Sequence, residues 1–198
     1  GSKYVKVTAL TEDFSGKFLI VYETDNLVFN SALSTDSASN YITASNTLSG
    51  SIDWSSKLEN ASFEIAKSST GTGYVIKGKS GSYIGTTKND NTLVFKKAEM
   101  VNTISFDSSG NVNIISSEGA YLRYNASSGQ TRFRYYKSGS YTNQKAIQLY
   151  KLEENTHTHA YSEWKHVDGT KTHVKTCNVD GCDAPTVKEE CTIVNNVC

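Results

Sequence analysis

Two segments of this chain repeat one another, and the repeated unit is a hairpin. Tyr74-Val-Ile-Lys-Gly-Lys-Ser-Gly81-Ser-Tyr83-Ile-Gly85 lies over Val112-Asn-Ile-Ile-Ser-Ser-Glu-Gly119-Ala-Tyr121-Leu-Arg123 at an offset of 38 residues, from position 74 to position 112. Apolar, Gly and Tyr positions coincide. A weaker third copy starts at Phe18-Leu-Ile-Val-Tyr22 and continues to Leu27-Val-Phe29. Each copy reads as a strand, a tight turn and a second strand. Such a unit cannot bury its apolar face alone, so the copies must pack on one another. Three copies within residues 1–152 predict an all-β, β-trefoil-like antiparallel domain, in which each lobe supplies four strands and the chain ends meet. A two-sheet sandwich is the alternative.

The rest of this segment follows the same pattern. Short runs of β-branched and aromatic residues alternate with Ser, Gly, Asn and Asp clusters, the signature of strands separated by turns. Beyond the repeats the runs are Tyr4–Leu10, Tyr41–Thr43, Ser62–Ala66, Thr92–Phe95, Thr103–Phe106, Thr131–Tyr136 and Ala146–Leu152. Pairing of Ile147–Leu152 with Tyr4–Leu10 would join the two ends. One short helix is expected near Ser55–Glu59.

Every His and Cys of the chain, and its single Pro, lie after Leu152. A domain boundary is therefore expected there, with residues 1–152 as a binding domain and 153–198 as a small Cys/His-rich unit. The 20 basic and 20 acidic residues cancel, which removes the bulk attraction to nucleic acid or anionic membrane; no nucleic-acid partner is expected. The longest strongly apolar run, Phe18–Tyr22, falls far short of the ~20 residues of a membrane helix, so no membrane span is expected. The opening Gly1-Ser2 and the stop at Cys198, inside a Cys-rich stretch, read as a monomeric fragment of a larger multidomain protein.

Without His or Cys, residues 1–152 cannot assemble a Ser-His or Cys-His nucleophile pair. Gly78-Lys-Ser80 lacks the upstream Gly spacing of a phosphate loop. The carboxylate pairs Asp13 with Glu23 and Asp53 with Glu59 read as solvated surface groups. Three arginines, Arg123, Arg132 and Arg134, are the only ones in the chain and fall within twelve residues, 123 to 134. In a strand, Arg132 and Arg134 would share one face and Phe133 and Tyr135 the other. With Arg123 on a neighbouring strand and Tyr124 or Tyr136 nearby, the cluster would suit a carboxylate, sulfate or phosphate. The bland alternative is a solvated strand face whose Arg stems cover apolar surface.

The segments Lys17-Phe-Leu-Ile-Val-Tyr-Glu23, Gly119-Ala-Tyr-Leu-Arg-Tyr-Asn125, Arg132-Phe-Arg-Tyr-Tyr-Lys-Ser138 and Ile147-Gln-Leu-Tyr-Lys151 resemble β-trefoil-like accessory modules of large secreted proteins of gut bacteria. That resemblance implies a non-catalytic module accompanying extracellular hydrolases or surface proteins. The Gln-x-Trp repeats of ricin-type lectin trefoils are absent.

In the tail, His159, His173, Cys177 and Cys182 are spaced by thirteen, three and four residues, positions 160–172, 174–176 and 178–181. Two imidazoles and two thiolates form a set that tetrahedral zinc accepts. The competing reading is a disulfide from Cys177 to Cys182 or Cys191. The stretch from His159-Ala-Tyr-Ser-Glu-Trp164 through Gly181-Cys182 resembles a His/Cys repeat arrayed on Gram-positive surface proteins. With four protein ligands the role of zinc would be structural. Together these readings predict a secreted or cell-surface carbohydrate-binding, adhesive module that takes a glycan or glycoprotein, with Arg123, Arg132, Arg134, Tyr124 and Tyr136 as ligand contacts. The alternative is a protein-interaction or spacer module accessory to a nuclease, peptidase or glycosidase.

Overall fold

The computed structural model describes residues 1–12, 14–154, 160–179, 182 and 186–190. The chain divides into two compact units, Lys3–Glu153 and Glu154–Cys198 with Gly1–Ser2. The larger unit is all-β and antiparallel. Its strands are β1 (Lys3–Val7), β2 (Gly16–Tyr22), β3 (Leu27–Phe29), β4 (Tyr41–Thr43), β5 (Ser51–Asp53), β6 (Phe63–Lys67), β7 (Tyr74–Gly78), β8 (Tyr83–Gly85), β9 (Val94–Lys96), β10 (Asn102–Phe106), β11 (Val112–Ser116), β12 (Tyr121–Asn125), β13 (Arg132–Tyr136), β14 (Gln144–Lys145) and β15 (Gln148–Glu153). Among the described residues one α-helix, α1 (Ser56–Ala61), lies between β5 and β6. No helix among the described residues is long and apolar enough to cross a membrane.

Six strands pair into a ring. β15 pairs with β2, β2 with β6, β6 with β7, β7 with β10, and β10 with β11. A bridge from Val112 to Ile147, with Val112 N donating to Ile147 O at 3.0 Å, returns β11 to the start of β15. Three hairpins leave this ring: β3 with β4, β8 with β9, and β12 with β13. Thus the chain runs ring strand, hairpin, ring strand three times.

The offset of 38 residues relates β7 to β11 and β8 to β12, whose first residues are 74 and 112, then 83 and 121. Both turns need a left-handed residue, supplied by Gly81 at φ 86° and Gly119 at φ 93°, a conformation glycine adopts without steric cost. The first copy uses Asn26 at φ 58° instead, after a turn of 3-10 helix over Glu23–Asp25. Ile20, Ile76 and Ile114 before the turns, and Phe29, Ile84 and Leu122 after them, all enter one core. Aromatic rings tie the hairpins into it: Phe29 stacks on Phe133 at 5.0 Å and Tyr22 on Tyr124 at 4.4 Å.

A second core explains why Phe18–Tyr22 is apolar at every position. Phe18, Ile20 and Tyr22 face the first core, while Leu19 and Val21 meet Tyr4, Ile52, Leu58 and Tyr150 on the other side. Strand β1 pairs with β15 in the register Tyr4 with Leu152, as the end-to-end pairing anticipated, and also with β5. With α1 these strands cover the outer face of β2 and β15. The Ser55 side chain caps α1 by accepting from Leu58 N at 3.2 Å, and Leu58 and Ala61 are its buried residues.

The smaller unit holds a three-stranded antiparallel sheet, β16 (Lys165–His166), β17 (Thr172–Thr176) and β18 (Thr186–Glu190), with a bridge between Tyr161 and Cys177. Cys177 is the one buried residue among those described in this unit.

Candidate functional site

The arginine cluster assembles, but around an internal partner. Arg123 and Arg134 are direct cross-strand partners, and Arg132 faces Asn125. Like charges at such positions repel, so the guanidinium groups diverge. Arg123 donates from Nη2 to Asn113 Oδ1 at 2.9 Å and lies over the Tyr121 ring at 5.0 Å; burial pulls its pKa below the usual arginine value. Arg134 donates from Nε and Nη2 to Asp36 Oδ2 at 3.0 and 2.9 Å, and Arg132 Nη1 stands 3.9 Å from Asp36 Oδ1. Asp36 comes from the β3–β4 connection, a residue that nothing local in the sequence marks as a partner of β13.

Both predicted tyrosines are buried. Tyr124 points to the opposite face, where it is 2% exposed and meets Tyr22 and Phe133. This corrects its expected place beside the arginines, because strand alternation puts Tyr124 on the core side. Tyr136 does share the arginine face, yet it too is buried. Its hydroxyl lies near Asn125 without a hydrogen bond, and burial raises its pKa.

An open aromatic surface occurs elsewhere. Trp54, the only Trp of the larger unit, is 42% exposed at the end of β5. It walls a cleft of about 100 Å³ together with Asn46, Asp53, Ser55 and Lys57, floored by Leu58. Pairing of β5 with β1 fixes Trp54 on one side, and the Ser55 cap fixes it on the other. Asn26 sets the opposite wall: its side chain donates to Ala44 O and Asn46 O at 2.9 and 3.1 Å and accepts from Leu48 N at 2.9 Å. Lys57 Nζ donates to Thr43 O at 2.8 Å, closing the rim. An aromatic face beside a carboxylate, an amide and hydroxyls can stack on a sugar ring and read its hydroxyls. The sequence signal for this site was the lone Trp inside a polar stretch.

No family model, curated protein or solved structure matches this chain.

Two of the carboxylates singled out in the sequence, Glu23 and Glu59, are engaged structurally. Glu23 accepts from Lys6 Nζ at 2.8 Å and from the Tyr150 hydroxyl at 2.6 Å; Asp13 lies outside the described residues. Glu59 stands between Lys17 and Lys79 at 3.5 and 3.8 Å.

In the tail, His173 packs edge-on against Trp164 at 4.4 Å, with Nε2 3.6 Å from Glu189 Oε2. Cys177 opposes Tyr161. His173 sits within β17, and Cys177 follows its last residue, Thr176. Among the described residues no three His, Cys, Asp or Glu side chains form a metal-holding group. Of the other two expected ligands, Cys182 is half-buried with its backbone N donating to Val179 O at 3.3 Å, and His159 lies outside the described residues, as do His157, Cys191 and Cys198.

Proposed function

We propose that residues 1–152 form a non-catalytic carbohydrate-binding module of β-trefoil type, acting for adhesion as part of a secreted or cell-surface bacterial protein. The ring of six strands and the three hairpins leaving it favour the trefoil over a two-sheet sandwich. The observation that carries the binding reading is the exposed Trp54 face in a cleft shared with Asp53 and Asn46. Arg132 and Arg134 already hold Asp36, which favours Trp54 over the arginine face as the ligand contact.

The small unit is proposed to be a structural appendage. Its strands bury little side chain, and a unit of this size needs a cross-link or a metal to fold.

A glycan array probed with the parent chain and with Trp54→Ala tests the binding reading. Retention on one or more glycans by the parent, lost in the variant, is expected. No glycan above background would overturn it, and capture of a host protein that survives removal of that protein's glycans would favour the interaction-module alternative.

A further inference from the structure

A larger cleft of about 200 Å³ lies on the outer face of β2, β6 and β7, lined by Lys17, Glu64, Lys77, Gly78 and Lys79. Lys17 is the cross-strand partner of Glu64, and Glu64 is the partner of Lys77. Directly paired residues point to the same face, so these three form one row across three strands. Lys79 enters from the β7–β8 turn. Gly78 also lines the cleft, and a Cβ there would come within 2.6 Å of Ser31 O. Ser31 holds this turn: its Oγ accepts from Lys79 N at 3.1 Å and its carbonyl from Ser80 N at 3.1 Å. Thus the Gly78-Lys-Ser80 triplet, which lacks the context of a nucleotide loop, forms the rim of a different basic cleft.

The ammonium groups here retain donor capacity. Glu59 stands 3.5 Å from Lys17 and 3.8 Å from Lys79, distances that compensate charge without making good hydrogen bonds. Lys77 has no ion pair among the described residues; its Nζ lies 5.6 Å from the centroid of the Tyr83 ring. Lys97 Nζ, donating to Ser80 O at 3.4 Å, adds a further positive charge beside the turn. Lys17, Lys77 and Lys79 face Glu64 within the cleft and Glu59 at its edge, so positive charge is still in excess, and Lys97 adds to it. Each ammonium offers three donors, which suits an oxyanion.

We propose that the Lys17–Lys77–Lys79 cleft is a second ligand site, taking a sulfate ester or a carboxylate carried by a glycan. This deepens the carbohydrate-binding reading and rests on it. Helix α1 separates the two clefts: Lys57 and Leu58 line the Trp54 cleft, and Glu59 reaches the lysines.

Calorimetric titration with dextran sulfate, polygalacturonate, unmodified dextran and inorganic sulfate tests the proposal on the full chain. The parent is expected to bind one of the two polyanions, more weakly as salt rises, and to ignore dextran. Preference between the polyanions separates sulfate ester from carboxylate. Lys77→Gln with Lys79→Gln should weaken that binding at least ~10-fold and flatten its salt dependence. Lys88→Gln with Lys137→Gln, exposed lysines elsewhere on the unit, should leave it unchanged. Equal polyanion binding by the Lys77/Lys79 variant overturns the proposal, as does inorganic sulfate binding as tightly as the polymers. If the parent binds neither polyanion yet keeps its Trp54-dependent signal on neutral glycans, the lysine site fails and the carbohydrate reading stands.

Discussion

Arg134 places both Nε and Nη2 on one oxygen of Asp36, at 3.0 and 2.9 Å, and that same oxygen accepts from Leu93 N at 3.3 Å. Asp36 belongs to the connection within the first hairpin, Leu93 to the second and Arg134 to the third, so one carboxylate joins all three. Asp36→Ala should cost about 1–3 kcal/mol, because it leaves two partly buried guanidinium groups without their anion. Urea unfolding measures this. A double-mutant cycle with Arg134→Gln should give a coupling above ~0.5 kcal/mol; additivity would show that the pair is only a surface contact.

Trp54 presents the opposite profile. Its ring is partly exposed, so Trp54→Ala should cost no more than about 1–2 kcal/mol of stability while abolishing retention on immobilised glycan. Trp54→Phe, which keeps a smaller stacking face, should retain part of the binding. A variant that unfolds, or one that binds as well as the parent, would remove Trp54 from the site.

Asn102 is completely buried, donating from Nδ2 to Ile84 O at 3.2 Å and accepting the Tyr135 hydroxyl on Oδ1 at 2.7 Å. Tyr135→Phe should cost about 1–2 kcal/mol for the lost bond and the orphaned amide oxygen. Asn102→Ala should cost more, since it strands the Tyr135 hydroxyl and opens a void. Thermal melts of the two variants test the order.

Alkaline pH should unfold this protein through its buried phenols. Burial pushes Tyr4 and Tyr124 up to about 12 and raises Tyr135 and Tyr150 as well. The folded state therefore holds these protons after an unfolded chain has lost them. Their contribution is complete below pH ~10 and is lost as pH rises from there through about 12, at up to roughly 1.4 kcal/mol per pH unit for each ring. Melting temperature and tyrosinate absorbance, followed together, should show the last phenols ionising only as the chain unfolds; complete tyrosinate formation in a still-folded chain would contradict this.

In the tail, metal analysis after purification without chelator, paired with thiol counting, identifies the staple. Removing it, by chelator if zinc or by reductant if disulfide, should melt the small unit and leave the transition of the larger one in place, because Lys3–Glu153 has its own two cores. Loss of both transitions together would mean that the units fold as one.

The sequence by itself determined the hairpin unit. Period-two burial and glycines at Gly81 and Gly119 are local properties, written in consecutive residues, and the offset between β7 and β11 was legible for the same reason. It also placed Arg132 and Arg134 on one face, where both meet Asp36. Strands β5 and β14 were not legible, since Ser-Ile-Asp holds a single apolar residue and Gln-Lys none. What only the tertiary structure decided is which side chains are spoken for. Asp36 is 98 residues from Arg134, and no local rule pairs them. That contact closes the arginine face, while Tyr124 turns into the core and Trp54 stays in solvent. Whether a side chain stays available to a ligand depends on what the distant chain brings against it, and this is settled only when the three hairpins pack.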